Sequence, residues 1–173
     1  MARTVSNKHI EKCDTVAFLL SNCHKKQWDK GVQPESRWGI DGWPIVIIEI
    51  GYSQTLASLQ HDTVTWLDQS SGRIKFVILV RTKRNPLCIR IQCCKICPTG
   101  HGWTGQTCSE APMCYQDFDI NYGGVVSSRN KSTELIIPHN CIFDDSAISH
   151  YPNILFTLPQ LSSIGQAVFR QIE

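Results

Sequence analysis

One carboxylate in this sequence stands where a charged side chain is costly. Glu49 lies within residues 45–51, and every other residue of that run is apolar or glycine. Such a run is typical of a central β-strand with both faces covered. Burying a carboxylate there costs free energy unless the group is paired, protonated or bound to a metal. Glu49 is therefore the first candidate for chemistry.

A second acid precedes this run. Glu35 follows Pro34, and an acid at the start of one strand can meet an acid within the next strand at one end of a sheet. Two carboxylates supply the hard oxygen ligands that Mg²⁺ prefers, and a metal held there can orient water and offset charge on a phosphodiester. We take Glu35 and Glu49 as the candidate metal ligands and catalytic residues, with Asp41 as an alternative carboxylate. The competing interpretation of Glu35 is an ordinary loop acid.

The cysteines form a rival candidate site. Cys94 and Cys97 have the spacing of zinc ligands, and His101, Cys108 or Cys114 could complete a tetrahedron. A single CxxC is a weak signal, and no second CxxC or HxxxH follows it. We therefore do not expect Zn²⁺ here, and we interpret these cysteines as thiols.

The elements that must position Glu49 lie in residues 44–83. They contain, in order, an apolar run, an amphipathic segment, a stop at Gly72 and a second apolar run over 74–81. This order predicts a strand, a helix and a strand, and such a crossover implies that the two strands pair in parallel. Ser53 or Thr55 can cap the helix. Its predicted buried face comprises Leu56, Leu59, Thr63, Trp66 and Leu67. Asp62 is expected to face solvent, and Trp43 and Trp66 are expected to be core aromatics.

The flanking segments are less regular. Helical spacing of apolar residues predicts a helix within residues 7–27, and 27–43 could be an extended segment or a hairpin. After a turn at Asn85-Pro86, alternation predicts a half-exposed strand over 87–92, nearer the sheet edge. Residues 93–130 are interpreted as a long loop or insertion. Short strands are expected within 133–143, ended by Pro138, and at 155–157. A final helix begins near Thr157, and its predicted apolar face is Leu161, Ile164, Val168 and Ile172.

Length and composition indicate one domain. The chain has 173 residues, 42% of them hydrophobic and 18% charged, which suits a single packed core over 1–173. We divide it into a core at 34–92, the loop at 93–130 and a C-terminal strand and helix at 131–173. No signal peptide or membrane span is evident. We therefore expect an intracellular protein, cytoplasmic or nuclear, that keeps its cysteines reduced and has no membrane partner.

The ordered motif resembles the PD-(D/E)xK nuclease-like superfamily. It is most similar to a group of fungal proteins with a pattern of the form PD…WPxxVxEVGxSQ…WL…G…VxxVI. The matching residues of this chain are Pro34, Glu35, Trp43, Pro44, Val46, Ile48, Glu49, Ile50, Gly51, Ser53, Gln54, Leu59, Asp62, Trp66, Leu67, Gly72, Ile74, Val77 and Ile78. The similarity covers residues 34–83 well and 133–172 moderately.

The resemblance implies a restriction-endonuclease-like α/β fold, a mixed sheet with a crossover helix and flanking N- and C-terminal helices. It also implies Mg²⁺-dependent hydrolysis of DNA or RNA phosphodiesters, with Glu35, Glu49 and the carbonyl of Ile50 as metal ligands. Gly51 stands where the superfamily has its lysine, and residues 54–69 contain no Lys or Arg. Gln54, His61 and Lys75 are the candidate substitutes.

Two other functions stay open. One is a catalytically inactive descendant of the fold that binds nucleic acid or a protein, and the other is a zinc-stabilised interaction module. The net charge of +2 neither requires nor excludes nucleic acid. Small basic clusters would form a phosphate track only if they share a face. They comprise Lys25, Lys26, Lys30, Arg81, Lys83 and Arg84.

Overall fold

A computed structural model of the chain describes residues 10–13, 17–19, 25–37, 42–99, 109–143 and 152–171. The strands are β1 Ile10–Cys13, β2 Ala17–Leu19, β3 Lys25–Gln27, β4 Lys30–Pro34, β5 Val46–Gly51, β6 Phe76–Arg84, β7 Leu87–Thr99, β8 Ser109–Asn121, β9 Val126–Ser128, β10 Glu134–Ile137 and β11 Ile154–Thr157. The helices are α1 Leu56–Gln69 and α2 Leu158–Phe169, with short 3-10 turns at Glu35–Arg37 and His139–Cys141.

A seven-stranded mixed sheet organises the chain. Its order is β1-β4-β5-β6-β7-β8-β9, and β2-β3 and β10-β11 form separate antiparallel pairs. Only β5 and β6 pair in parallel within the seven-stranded sheet. The predicted α/β class is confirmed at this level.

The predicted crossover is confirmed. β5 leads into α1 and returns as β6, so the parallel pair is joined through the helix. The Thr55 side chain accepts a hydrogen bond from the backbone N–H of Ser58 (3.1 Å) and caps the helix. The helix ends at Gln69 with Ser70 as its C-cap, and the two residues that follow, Ser71 (φ +54°) and Gly72 (φ +77°), both have a left-handed backbone. The buried residues of α1 are Leu59, Thr63, Trp66 and Leu67.

Two apolar clusters lie on opposite faces of the sheet. The cluster on the α1 face contains three tryptophans, Trp28, Trp43 and Trp66, together with Ile47 and other apolar residues. The cluster on the other face joins the sheet to α2 and the β10-β11 pair. Gly165 allows α2 to approach closely, because a Cβ there would lie 2.6 Å from the Cγ2 atom of Ile120.

The N-terminal helix predicted within residues 7–27 is wrong. The described residues of this region form β1, β2 and β3. β1 pairs with β4 at the edge of the large sheet, and β2 pairs with β3. Pairing with other strands outweighs a weak helical periodicity, because most of the stability of a short segment comes from tertiary contacts.

The loop predicted over residues 93–130 is also wrong. β7 and β8 each span thirteen residues and pair along their length, with β9 beside β8. β7 is therefore an interior strand, and not the near-edge strand that was expected. Two cysteines of this segment, Cys93 and Cys94, are buried as small apolar side chains in the sheet. Residues 100–108 lie outside the described residues.

The C-terminal elements agree with prediction except for one face. β10 ends before Pro138, β11 covers the predicted short strand, and α2 follows Thr157. The buried residues of α2 are Leu161, Gly165 and Phe169, whereas Ile164 and Val168 are exposed. The predicted apolar face was displaced by one position, because a glycine is the residue that lets the helix approach the sheet. Ile172 lies outside the described residues.

Neither described helix is long and apolar enough to cross a membrane.

Candidate functional site

Glu49 is buried on β5, as predicted. Its side chain is 7% exposed and lies against α1, where the Trp66 indole N–H donates a hydrogen bond to its Oε1 atom. Burial raises the pKa of this carboxyl to about 7, opposed by the hydrogen bond from Trp66. The charge of Asp29 raises the pKa further, and that of Lys26 lowers it. Glu49 is thus an acid whose ionisation is costly without a compensating positive charge.

Glu35 does not lie near Glu49. It occupies an exposed turn after β4, and the antiparallel register pairs Val32 of β4 with Val46 at the start of β5. Glu35 is therefore beyond the start of β5, while Glu49 is near the end of that strand. At ~3.3 Å per residue the two acids are roughly 20 Å apart along the sheet. The structure does not bring together the pair expected to share a metal.

Asp29 occupies the place that was expected for Glu35. It directly precedes β4, whose first residue, Lys30, pairs with Ile48. The backbone N–H of Ile50 donates to Asp29 Oδ2 at 2.6 Å, so this carboxylate lies beside the end of β5 that carries Glu49. An acid at the start of one strand and an acid within the next strand do meet at one end of the sheet. The first of them is Asp29.

The sequence analysis missed Asp29 because it assigned the preceding residues to a helix. Only the pairing of β4 with β5 shows which acid stands opposite the end of β5. One signal was available in the sequence: Asp29 lies near the start of residues 27–43, the segment predicted to be extended or a hairpin before the central strand.

Lys26 supplies a positive charge to this site. Its Nζ atom forms an ion pair with Asp62 on α1 (2.5 Å) and lies 5.3 Å from the centre of the Trp66 ring. Lys26 acts on the Glu49 carboxyl electrostatically and lowers its pKa. Asp62 is half-buried in this ion pair and does not simply face solvent as expected. The site thus holds three acids and one lysine, carried by β5, α1 and the segment around β3 and β4.

The place of the superfamily lysine is filled by a side chain from α1. A Cβ atom on Gly51 would lie 2.2 Å from Cδ1 of Leu59, which is itself 1% exposed. Gly51 is accordingly the residue that permits Leu59 to pack against the end of β5. A larger side chain at this position would require the Leu59 side chain to move.

The three proposed substitutes for that lysine lie elsewhere. Lys75 is bonded through its backbone to Ile45, at the opposite end of β5, and its charge acts on Cys141 on the far face of the sheet. His61 is exposed on α1, and the Gln54 carbonyl accepts a hydrogen bond from Arg81 Nε (3.1 Å). Asp41 lies outside the described residues. Lys26, which belongs to the basic clusters of the sequence, is a cation that the structure places beside Glu49.

The donors around Glu49 suit a hard cation better than a soft one. Among the residues that the structure describes, no group of three or more His, Cys, Asp or Glu side chains could hold a metal. Mg²⁺ commonly uses only one or two protein carboxylates and fills its remaining positions with water and substrate phosphate. Glu49 and Asp29 fit that smaller requirement, and a cation would offset the cost of ionising Glu49.

Cys94 and Cys97 do not face each other. Cys94 packs in the tryptophan cluster on the α1 face. Cys97 lies near Tyr115 and Cys141 and acts on both electrostatically. Cys141 belongs to the cluster on the other face of the sheet, and Tyr115 packs against that cluster. Residues three apart in a strand point to opposite faces, so this CxxC does not form a pair of ligands. His101 and Cys108 lie outside the described residues.

A basic groove opens beside this end of the sheet. It is a cavity of about 510 Å³ whose lining includes four cations, Arg81, Lys83, Arg90 and Arg129. Arg81 is the register partner of Gly51, two residues from Glu49, so the groove begins next to the acids. Asp117 binds Arg90 through Nε (2.8 Å), and Asp119 binds Arg129 (2.6 Å). These partners hold the two arginines in place beside β8 and β9.

No family model, no curated protein and no solved structure matches this chain.

Proposed function

We propose that this chain is a PD-(D/E)xK-like phosphodiesterase that hydrolyses nucleic acid with a divalent metal held by Asp29 and Glu49. The order β4-β5-α1-β6 supports the restriction-endonuclease-like core that the sequence resembles. The observation that carries the proposal is the buried carboxylate of Glu49 beside a second acid from the antiparallel neighbouring strand.

Each residue has a separate task in this proposal. Asp29 and Glu49 would hold Mg²⁺, which when bound activates water and offsets charge on the phosphate. Lys26 would provide the cationic group that Gly51 does not, because it already acts on the Glu49 carboxyl. Trp66 fixes the Glu49 side chain through its hydrogen bond to Oε1, leaving Oε2 as the oxygen for the cation.

The basic groove supports nucleic acid as the substrate. Cations spaced along one face follow a phosphate backbone, and the groove begins beside the acids. Arg81 and Lys83 belong to the basic clusters of the sequence, and they share this face with Arg90 and Arg129.

A nicking assay tests the proposal. Supercoiled plasmid and single-stranded RNA are incubated with the full chain and Mg²⁺ or Mn²⁺, and cleavage is followed on gels. Glu49→Gln and Asp29→Asn should each lower the rate by more than about 100-fold, since even outer-shell partners of a metal contribute roughly 10–100-fold. Glu35→Gln is the matched control and should leave the rate unchanged. Absence of cleavage of both substrates, or an equal loss in the control, would overturn the proposal.

A second candidate is a non-catalytic descendant that binds nucleic acid in the same groove. It is favoured by Leu59, which fills the space beside Gly51 where the superfamily lysine would stand. This alternative predicts salt-sensitive binding of the same plasmid and RNA, with no cleavage in either metal. Lys83→Ala should weaken the binding, and Arg170→Ala, after α2, should leave it unaffected.

A further inference from the structure

Cys94 and Cys114 are direct partners across two antiparallel strands. Cys94 of β7 is the register partner of Cys114 of β8. Directly opposed residues of such a pair have Cα atoms about 4.5–5.5 Å apart. A disulfide spans Cα separations of about 4.4–6.8 Å. The backbone therefore already provides the separation that a disulfide requires.

A bulge in β8 produces this arrangement. The register shifts between Cys93, which pairs with Gln116, and Cys94, which pairs with Cys114, so Tyr115 is the extra residue. Tyr115 and Gln116 both bond to β10 on one side of the sheet. The bulge thereby turns Cys114 toward the α1 side, where Cys94 packs. Without it, the two thiols would lie out of register.

The two thiols differ in environment. Cys94 is 3% exposed, whereas Cys114 is exposed to solvent, and their side chains are hydrogen-bonded to each other. The hydrogen bond from Cys94 lowers the pKa of the Cys114 thiol, and the Arg90 charge acts in the same direction, whereas burial and the charge of Asp117 oppose the lowering. Cys114 is thus the reactive member and Cys94 the protected one. This pairing is typical of an attacking and a resolving thiol.

An open cavity gives small oxidants access to the pair. It has a volume of about 190 Å³, and its lining includes both cysteines, Gln60 and Val64 of α1, and Met113. Hydrogen peroxide is smaller than this space. Cys94 and Cys114 are both free thiols in the structure, so the pair is available for oxidation.

We propose that Cys94 and Cys114 form a reversible oxidation site that closes to a disulfide with hydrogen peroxide. The Cys114 thiolate attacks peroxide, gives a sulfenic acid and releases hydroxide. The Cys94 thiol then attacks the sulfenic sulfur, the S–S bond forms, and water leaves. A dithiol reductant returns both thiols by exchange. The site is independent of Glu49 and its chemistry.

Mass spectrometry of the intact chain tests this site. With limiting peroxide, the wild-type mass should fall by about 2 Da, and peptide mapping should show Cys94 linked to Cys114. Dithiothreitol should restore the original mass.

Three variants test which cysteine reacts with peroxide and which one forms the disulfide with it. Cys114→Ser changes an exposed residue and should abolish the loss of mass. Cys94→Ala should stop the reaction at a sulfenic acid on Cys114, trapped by dimedone. Cys88→Ser, on β7 outside the pair, is the matched control and should behave as the wild type. A linkage between other cysteines, or Cys114 oxidised without any link to Cys94, would overturn the proposal.

Discussion

At the scale of single residues, the site depends on one acid that is costly to ionise. The sequence was sufficient to find Glu49, because a carboxylate within an apolar run is conspicuous without any structure. It was not sufficient to find the partner acid. Glu35 follows proline, as the acid does in the pattern that the sequence resembles, but only the register of β4 on β5 shows that Asp29 stands beside Glu49. Pairing partners in a sheet are set by tertiary contacts that local spacing does not report.

The Glu49 carboxyl makes stability depend on pH. Its pKa is about 7 in the folded chain and 4.5 for an unperturbed group. Between these values the folded state keeps a proton that the unfolded state releases. The free energy of unfolding therefore falls as pH rises through this window and stays lower above it. At about 1.4 kcal/mol per pH unit, the loss is on the order of 3 kcal/mol.

Glu49→Gln should remove this dependence, because an amide carries no charge and can still accept the bond from Trp66. We expect the variant to gain up to about 3 kcal/mol over the wild type between about pH 5 and about pH 8, measured by urea unfolding without added metal. Glu35→Gln, at an exposed position, is the control. A constant difference between the Glu49→Gln variant and the wild type across this range would contradict the assignment of the shift to Glu49.

At the scale of elements, the crossover, the start of β7 and the C-terminal elements were predictable, whereas β1 to β3, β8 and β9 were not. The periodicity of residues 44–83 and the cap at Thr55 are local signals that the structure confirms. Gly72 has the expected left-handed φ, but the helix ends earlier, at Gln69. β1, β2 and β3 are short, so their conformation depends on the strands they meet. The second half of β7 and most of β8 are rich in Cys, Pro and Gln and do not produce a strand pattern, even though both strands are paired along their length.

The contact of α1 with β5 should be sensitive to a single methyl group. Gly51→Ala places a Cβ against Leu59 in a packed layer, and we expect a loss of about 1–3 kcal/mol in the free energy of unfolding. Leu59→Ala should remove the clash, so the double variant should be more stable than the sum of the single effects predicts.

Gly123→Ala is the control for this experiment, since its Cβ would meet nothing closer than 3.4 Å. We expect a change within about 0.5 kcal/mol there. If Gly51→Ala is equally mild, Leu59 is free to shift, and the space beside Gly51 could accept a larger side chain.

At the scale of the whole molecule, the sheet aligns the acids with the groove. β5 and β6 run in parallel, so Glu49 on one strand and Arg81 and Lys83 on the other reach the same edge. Arg90 and Arg129 extend the cationic surface across β7 to the edge of the sheet. The sequence predicted the parallel pair but not the groove, because the groove depends on β8 and β9, which had been assigned to a loop.

A crystal of the full chain soaked in Mn²⁺ tests the central claim most directly, through anomalous density for the ion. We predict one Mn²⁺ between the carboxylates of Asp29 and Glu49 in the wild type, lost in Glu49→Gln and retained in Glu35→Gln. Two results would contradict the claim that Asp29 and Glu49 share a metal. One is anomalous density beside Glu35, and the other is the absence of an ion at the end of β5 at a saturating concentration of Mn²⁺.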